Sequence, residues 1–151
     1  MEYWKANDDV HKRVKQLVGQ YHPDLAMVVD ELVVVFRERA GNRGGQVILG
    51  TARRPPTMVN VLADTKCEFI LEIGANTWEE MSNRQQEALL DHLLCGCFAE
   101  EVDGELKCRN LSPDVSAYRD NLERYGMWFP VEPSEEEQPP IDPVGELFGI
   151  E

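Results

Sequence analysis

The sequence predicts an α+β domain, in which a small, mostly antiparallel sheet packs on one long helix and further helices flank it. Three observations predict this class. Apolar residues recur at helical spacing near the N-terminus, at Val10, Val14, Leu17 and Val18. Two runs rich in β-branched and aromatic residues, 32–36 (LVVVF) and 67–73 (CEFILEI), read as strands. A segment with a serine cap then opens a long helix near residue 83.

Asp8 and Asp9 are suited to cap a first helix over about 8–19, which Gly19 would end. Pro23 can start a second short helix through Leu25 and Val28. The strand expected over 32–38 is followed by a turn at 40–45 and a second strand over 46–52, so 32–52 reads as a hairpin. A third strand over 67–74 sets Glu68 and Glu72 on one face and Phe69, Leu71 and Ile73 on the other. Thr77 with Glu80, and Ser82 with Gln85, have the spacing of capping boxes. The second pair opens the best helix, over about 83–99, whose apolar face includes Leu89, His92, Leu93, Gly96 and Cys97. A loop at Asp103-Gly104 leads to a last helix over 112–125, with Ser112 as cap and Pro113 at its first position.

At 151 residues the chain suits one domain, and a domain of this size needs neither disulfide nor metal to fold. Residues 1–128 are expected to form it. From 129 to 151, prolines alternate with carboxylates, which reads as an acidic flexible tail. Apolar residues reappear at its end, in Val144-Gly145-Glu146-Leu147-Phe148-Gly149-Ile150, where a short binding motif would fit. No apolar stretch approaches the roughly 20 residues that span a bilayer, and the first residues lack the pattern of a signal peptide. A cytoplasmic protein is expected, with Cys67, Cys95, Cys97 and Cys108 reduced.

The net charge of −13 is unevenly spread. Residues 1–66 carry 10 Lys and Arg against 8 Asp and Glu, whereas residues 67–151 carry 5 against 20. The second region, at −15, argues against direct nucleic-acid binding and favours a basic partner surface. The candidate partner-binding carboxylates are Glu100, Glu101, Asp103, Glu105, Glu135, Glu136 and Glu137. Solubility alone is the competing account of the same charge.

The stretch Trp78-Glu79-Glu80-Met81, followed by Gln86 through Cys97 (QEALLDHLLCGC), resembles the phage metallopeptidase family, which carries an HExxH motif on a helix after a strand and a short Trp-containing segment. Tyr21-His22-Pro23-Asp24-Leu25, Phe69 to Ile73, Pro113-Asp114-Val115 and Arg124 to Trp128 match the same family in the same order, over about 21–128. The resemblance implies a zincin-like fold. It also implies a zinc held by two histidines one helical turn apart, with a glutamate between them to activate a zinc-bound water.

The chain departs from that pattern where the chemistry lies. His92 fills the first histidine position, Leu93 the glutamate position, Gly96 the second histidine position and Pro113 the expected third-ligand position. Three protein ligands and one open position are needed for hydrolytic zinc. The expectation is therefore a catalytically inactive relative with no metal and no cofactor. His92 would then be a hydrogen-bonded core histidine, and the cysteines small core residues. A replacement zinc site from His92, Cys95, Cys97 and Cys108 is disfavoured, because a helix through 97 would put Cys95 and Cys97 about 200° apart. His11 and His22 have no partner at ligand spacing and read as surface or structural; Arg53-Arg54 is too small for a nucleic-acid site.

The resulting expectation is a protein that binds or inhibits a host protein. Its concrete form is an anti-CRISPR or anti-restriction protein whose acidic surface meets a basic nucleic-acid-binding partner. The alternatives are a metal-dependent hydrolase with a rearranged site, such as His92 with Glu100, Glu101 or Asp103, and a phage structural or assembly protein.

Overall fold

The computed structural model describes residues 1–111 and 118–128. The expectations for Ser112, Pro113 and the tail from residue 129 onward, including Glu135, Glu136 and Glu137, lie outside the described residues.

A short strand, β1 (Tyr3–Lys5), precedes helix α1 (Asp8–Tyr21). Asn7 caps this helix, accepting a hydrogen bond from the Val10 N–H, while Asp8 and Asp9 sit in its first turn, where the helix dipole favours them. Gly19 does not end α1; it sits on the exposed side with open space around it, so the helix runs on to Tyr21. Val10, Val14, Leu17 and Val18 form its buried stripe, as their spacing predicts. A 3₁₀ helix, Pro23–Glu31, follows and buries Leu25 and Val28.

The central sheet has the order β1, β2 (Leu32–Arg37), β6 (Phe69–Gly74), β5 (Gly50–Arg53). Strand β2 (Leu32–Arg37) alternates buried and half-buried residues, and β6 (Phe69–Gly74) does the same through Phe69, Leu71 and Ile73. These two strands pair in parallel, Leu32 opposite Phe69 through Arg37 opposite Gly74. The outer pairs, β1 with β2 and β5 (Gly50–Arg53) with β6, are antiparallel. The expected 32–52 hairpin does not form. The run 46–52 is divided: β4 (Gln46–Ile48) closes a small separate ribbon with β3 (Gly41–Arg43), while β5 joins the main sheet beside β6. Between β5 and β6 lies helix α2 (Thr57–Ala63), which starts directly after Pro55-Pro56.

Thr77 caps nothing at Glu80. Its hydroxyl donates to the Gly74 carbonyl within the short helix α3 (Ala75–Trp78). The Ser82 and Gln85 capping box forms as spaced, and helix α4 (Asn83–Cys95) runs from it. That helix ends at Cys95, four residues before the expected 99, with Gly96 as its C-cap, and Cys97 begins a strand. Strands β7 (Cys97–Val102) and β8 (Glu105–Asn110) form a hairpin around Asp103-Gly104, both at positive φ (54° and 78°), a two-residue loop suited to the strand twist. Helix α5 (Arg119–Tyr125) closes the described chain.

Helices α1 and α4 and the 3₁₀ helix cover one face of the sheet with a single core that includes Leu25, Val34, Phe69, Leu71, Ile73, Leu89, Leu90 and Leu94. Each such aliphatic or aromatic side chain removed from water contributes about 1.5–3 kcal/mol. The architecture is α+β, as the sequence predicts. Among the described residues no helix is long and apolar enough to cross a membrane.

Candidate functional site around helix α4

The side chains that carry chemistry gather around the last two turns of α4. Asp91, on that helix, is fully buried. A lone carboxylate there would be prohibitively costly, so its neighbours must compensate it. His22, just after α1, brings Nε2 to 2.7 Å from Asp91 Oδ1. Arg124, on α5, places Nη2 at 2.8 Å from both carboxylate oxygens and Nε at 3.1 Å from Oδ2. Asn121 Nδ2 donates to Oδ2 at 2.9 Å and to the Ala88 carbonyl at 2.9 Å, while its Oδ1 accepts from Trp128 Nε1 at 2.6 Å. Burial pushes the Asp91 carboxyl up, but donation from His22, Asn121 and Arg124 outweighs it and leaves Asp91 below the usual carboxylate range.

Arg124 has two further neighbours. Its guanidinium stacks 4.4 Å from the Tyr21 ring centre, and Nη2 lies 3.6 Å from Cys95 Sγ. Among the described residues, His22, Asp91 and Cys95 form a trio whose ligand atoms lie within 4.8 Å of one another, a group that could hold a metal ion. The Arg124 guanidinium stands against two of its three members. Nearby a cleft of about 330 Å³ opens, lined by Tyr21, His22, Cys95, Phe98, Tyr118 and Arg124 among others.

His92 faces another way. Its ring packs edge-on against Tyr118 (4.9 Å between centres) and Trp128 (5.9 Å). Burial pulls its pKa down to about 4, with only partial opposition from Asp91, so the imidazole is neutral at pH 7. Leu93 is buried and reaches toward strand β5; a Cβ on Gly50 would stand 3.1 Å from Leu93 Cδ1. Gly96 is the C-cap of α4, not an interior helical glycine. A Cβ there would stand 2.7 Å from the Tyr118 hydroxyl, which itself donates to the Leu111 carbonyl at 2.9 Å.

The four cysteines are free thiols. Because Cys97 starts β7, the expected 200° separation of Cys95 and Cys97 on one helix does not apply. Burial, the largest cause at each, raises the pKa of Cys95 and Cys97 to about 12 and of Cys108 to about 11. Nucleophilic thiolate chemistry at neutral pH is thereby suppressed. The acidic candidates Glu100, Glu101, Asp103 and Glu105 all lie exposed on the β7–β8 hairpin, outside the trio of ligand atoms.

His22, expected to be surface or structural, is structural here, and its partner Asp91 lies 69 residues away; Asp91, Asn121 and Arg124 carry no local spacing that marks them as site residues. His11 is structural, with Nδ1 3.0 Å from the Asn7 carbonyl and Nε2 accepting from the Val34 N–H at 3.2 Å. Arg53 and Arg54 pair with Glu72 and Glu68.

A model of the family described as "Putative phage metallopeptidase" matches residues 2–138 of the chain. The chain belongs to this family. The match takes in every element above, so the phage metallopeptidase family supplies the frame in which α4 and its flanking residues are read. No curated protein and no solved structure matches the chain.

Proposed function

We propose that this member of the phage metallopeptidase family acts by binding a protein partner rather than by zinc-dependent hydrolysis. The observation that carries the reading is the Tyr118 hydroxyl, 2.7 Å from where a Cβ on residue 96 would begin. An imidazole at that position would need the space the tyrosine fills. Two neighbouring features support the same reading. Leu93 offers no base to activate water, and the His92 ring is packed between two aromatic rings. One imidazole and an aliphatic side chain do not fit a hydrolytic zinc, which needs three protein ligands and an open position.

The partner surface we assign is the β7–β8 hairpin, where Glu100, Glu101, Asp103 and Glu105 are exposed together on a two-stranded arm. Such an arm suits a basic, nucleic-acid-binding host protein, and an anti-CRISPR or anti-restriction role is its concrete form. Elemental analysis of untagged protein, purified without added zinc, tests the first half of the proposal. Folded protein with metal near zero supports it; one zinc per chain overturns it. The second half is tested in a host carrying an active defence nuclease. Expression of the chain should raise phage plating, and reversing the four hairpin carboxylates to lysine should abolish the gain. Equal plating with both chains would sink that assignment.

A metal-dependent hydrolase with a rearranged site is the second reading. The observation that favours it is the His22, Asp91 and Cys95 trio, not His92 with the hairpin carboxylates. Stoichiometric metal lost on changing Cys95 to Ser would favour this reading over the first.

A further inference from the structure

Helix α2 is held firmly yet buries nothing. None of its seven residues is buried. Its apolar side chains are turned to solvent, Met58 at 67%, Val59 at 46%, Val61 at 73% and Leu62 at 79% exposure. Its one polar interior residue, Asn60, fastens it to the chain that follows. Asn60 Nδ2 donates to the Cys67 carbonyl at 2.9 Å, and its Oδ1 accepts from the Cys67 N–H at 3.0 Å and the Thr65 hydroxyl at 3.1 Å. A helix this short does not persist alone in water, so these contacts fix its position while its apolar side stays open. Four exposed apolar side chains on one seven-residue helix are the kind of surface that docking would cover.

The chain carries a segment of matching chemistry. Leu147, Phe148 and Ile150 follow a run, 129–143, that has five carboxylates and no cation. Helix α2 is bracketed in sequence by Arg53 and Arg54 before it and Lys66 after it. Each of these cations is well exposed and has one carboxylate partner, Glu72 at 2.7 Å, Glu68 at 2.9 Å and Glu31 at 3.7 Å, respectively. Exposed cations with one such partner can still attract further acidic groups. Reach is no obstacle. Trp128 is anchored in the core, and the 16 residues from it to Val144 extend up to roughly 50 Å. A compact domain of this size has a radius of gyration of about 14 Å. Tethering makes the encounter intramolecular and raises the effective concentration of the segment at the helix.

We infer that the segment Val144–Ile150 docks on the apolar side of α2 in its own chain, with the acidic run before it lying along Arg53, Arg54 and Lys66. This inference is independent of the reading given under Proposed function. The test follows the backbone amide resonances of Leu147, Phe148 and Ile150 in the full chain, at low and high protein concentration. A variant with Val61→Asp and Leu62→Asp, both surface positions, provides the comparison, and the indole signal of Trp128 reports that the fold is intact. The expected result is dispersed amide shifts in the parent chain that collapse to unstructured values in the variant, equally at both concentrations. Unstructured shifts in the parent would overturn the inference. So would shifts that appear only at high concentration, which mean docking on a second copy.

Discussion

The Tyr118 hydroxyl lies 2.7 Å from the point where a Cβ on residue 96 would stand, so Gly96 and Tyr118 form a fitted pair. Gly96 has φ −83° and ψ 2°, a conformation open to any residue, so space rather than backbone geometry keeps it a glycine.

Gly96→Ala should therefore destabilise the fold by about 1–2 kcal/mol through overpacking. Tyr118→Phe removes the obstructing oxygen and its bond to Leu111. The double variant should lose less than the sum of the two single variants, a non-additivity readable in urea unfolding. Strict additivity would mean the contact is absent.

Removing Arg124 exposes what its guanidinium covers. Breaking a buried ion pair by deleting one partner costs about 3–5 kcal/mol. Because the Arg124 side chain keeps 19% exposure, Arg124→Ala should fall at or just below the lower end of that range. It should also leave His22, Asp91 and Cys95 free to ligate. Zn²⁺ should then raise the melting temperature of Arg124→Ala and not that of the parent chain, and a chelator should reverse the gain. An identical zinc response in both proteins would contradict the role given to the guanidinium.

The pH dependence has a definite sign. His92 is held neutral in the folded state, with its pKa at about 4 against the ordinary 6.5. The unfolded chain therefore binds more protons between those values, and stability must fall as pH drops from 6.5 toward 4. Residual solvent exposure reduces the size of the effect to about 2 kcal/mol. Asp91, depressed below its ordinary 3.8, adds a further loss only below that pH. His92→Gln should flatten the slope between pH 4 and 6.5 in denaturant titrations. A slope unchanged by the substitution would assign it to other groups.

Thiol labelling offers a check on burial around the cleft. With pKa values near 12, Cys95 and Cys97 should react with a disulfide reagent at neutral pH at least about a hundredfold more slowly than in the unfolded chain. Mass spectrometry of the labelled peptides distinguishes them from Cys67 and Cys108. Labelling of Cys97 in the folded protein at the unfolded rate would refute the packing described.

Much of the frame was legible because local pattern and tertiary need coincide. Val10, Val14, Leu17 and Val18 have one helical face to bury and do so. Ser82 and Gln85 cap α4 by a mechanism confined to four residues. The misreadings arise where a local signal had two meanings. Gly96 followed by Cys97 continued an apolar helical pattern, yet the glycine is a stop and the cysteine an inward strand residue. The Asp103-Gly104 pair, a strong signal for a two-residue hairpin loop, was the available clue to β7 and β8. Pro55-Pro56 marks the end of β5 and equally the start of α2. The run 46–52 has no charged residue or proline to mark a break, so its division between two sheets follows from pairing partners far along the chain. The same distance hid the site: Asp91 shares no local spacing with His22, Asn121 or Arg124, and only the folded topology brings them together.

The Asp91 network also governs how the chain folds. Its carboxylate becomes acceptable inside the core only when His22 has arrived from one side of the sequence and Asn121 and Arg124 from the other. A partly assembled state that packed α4 against the sheet without α5 would strand a negative charge out of water. Such intermediates are therefore raised in energy relative to both the unfolded and the complete structure. The transition is expected to be all-or-none, so that a chain lacking α5 should show no stable halfway form in denaturant titrations.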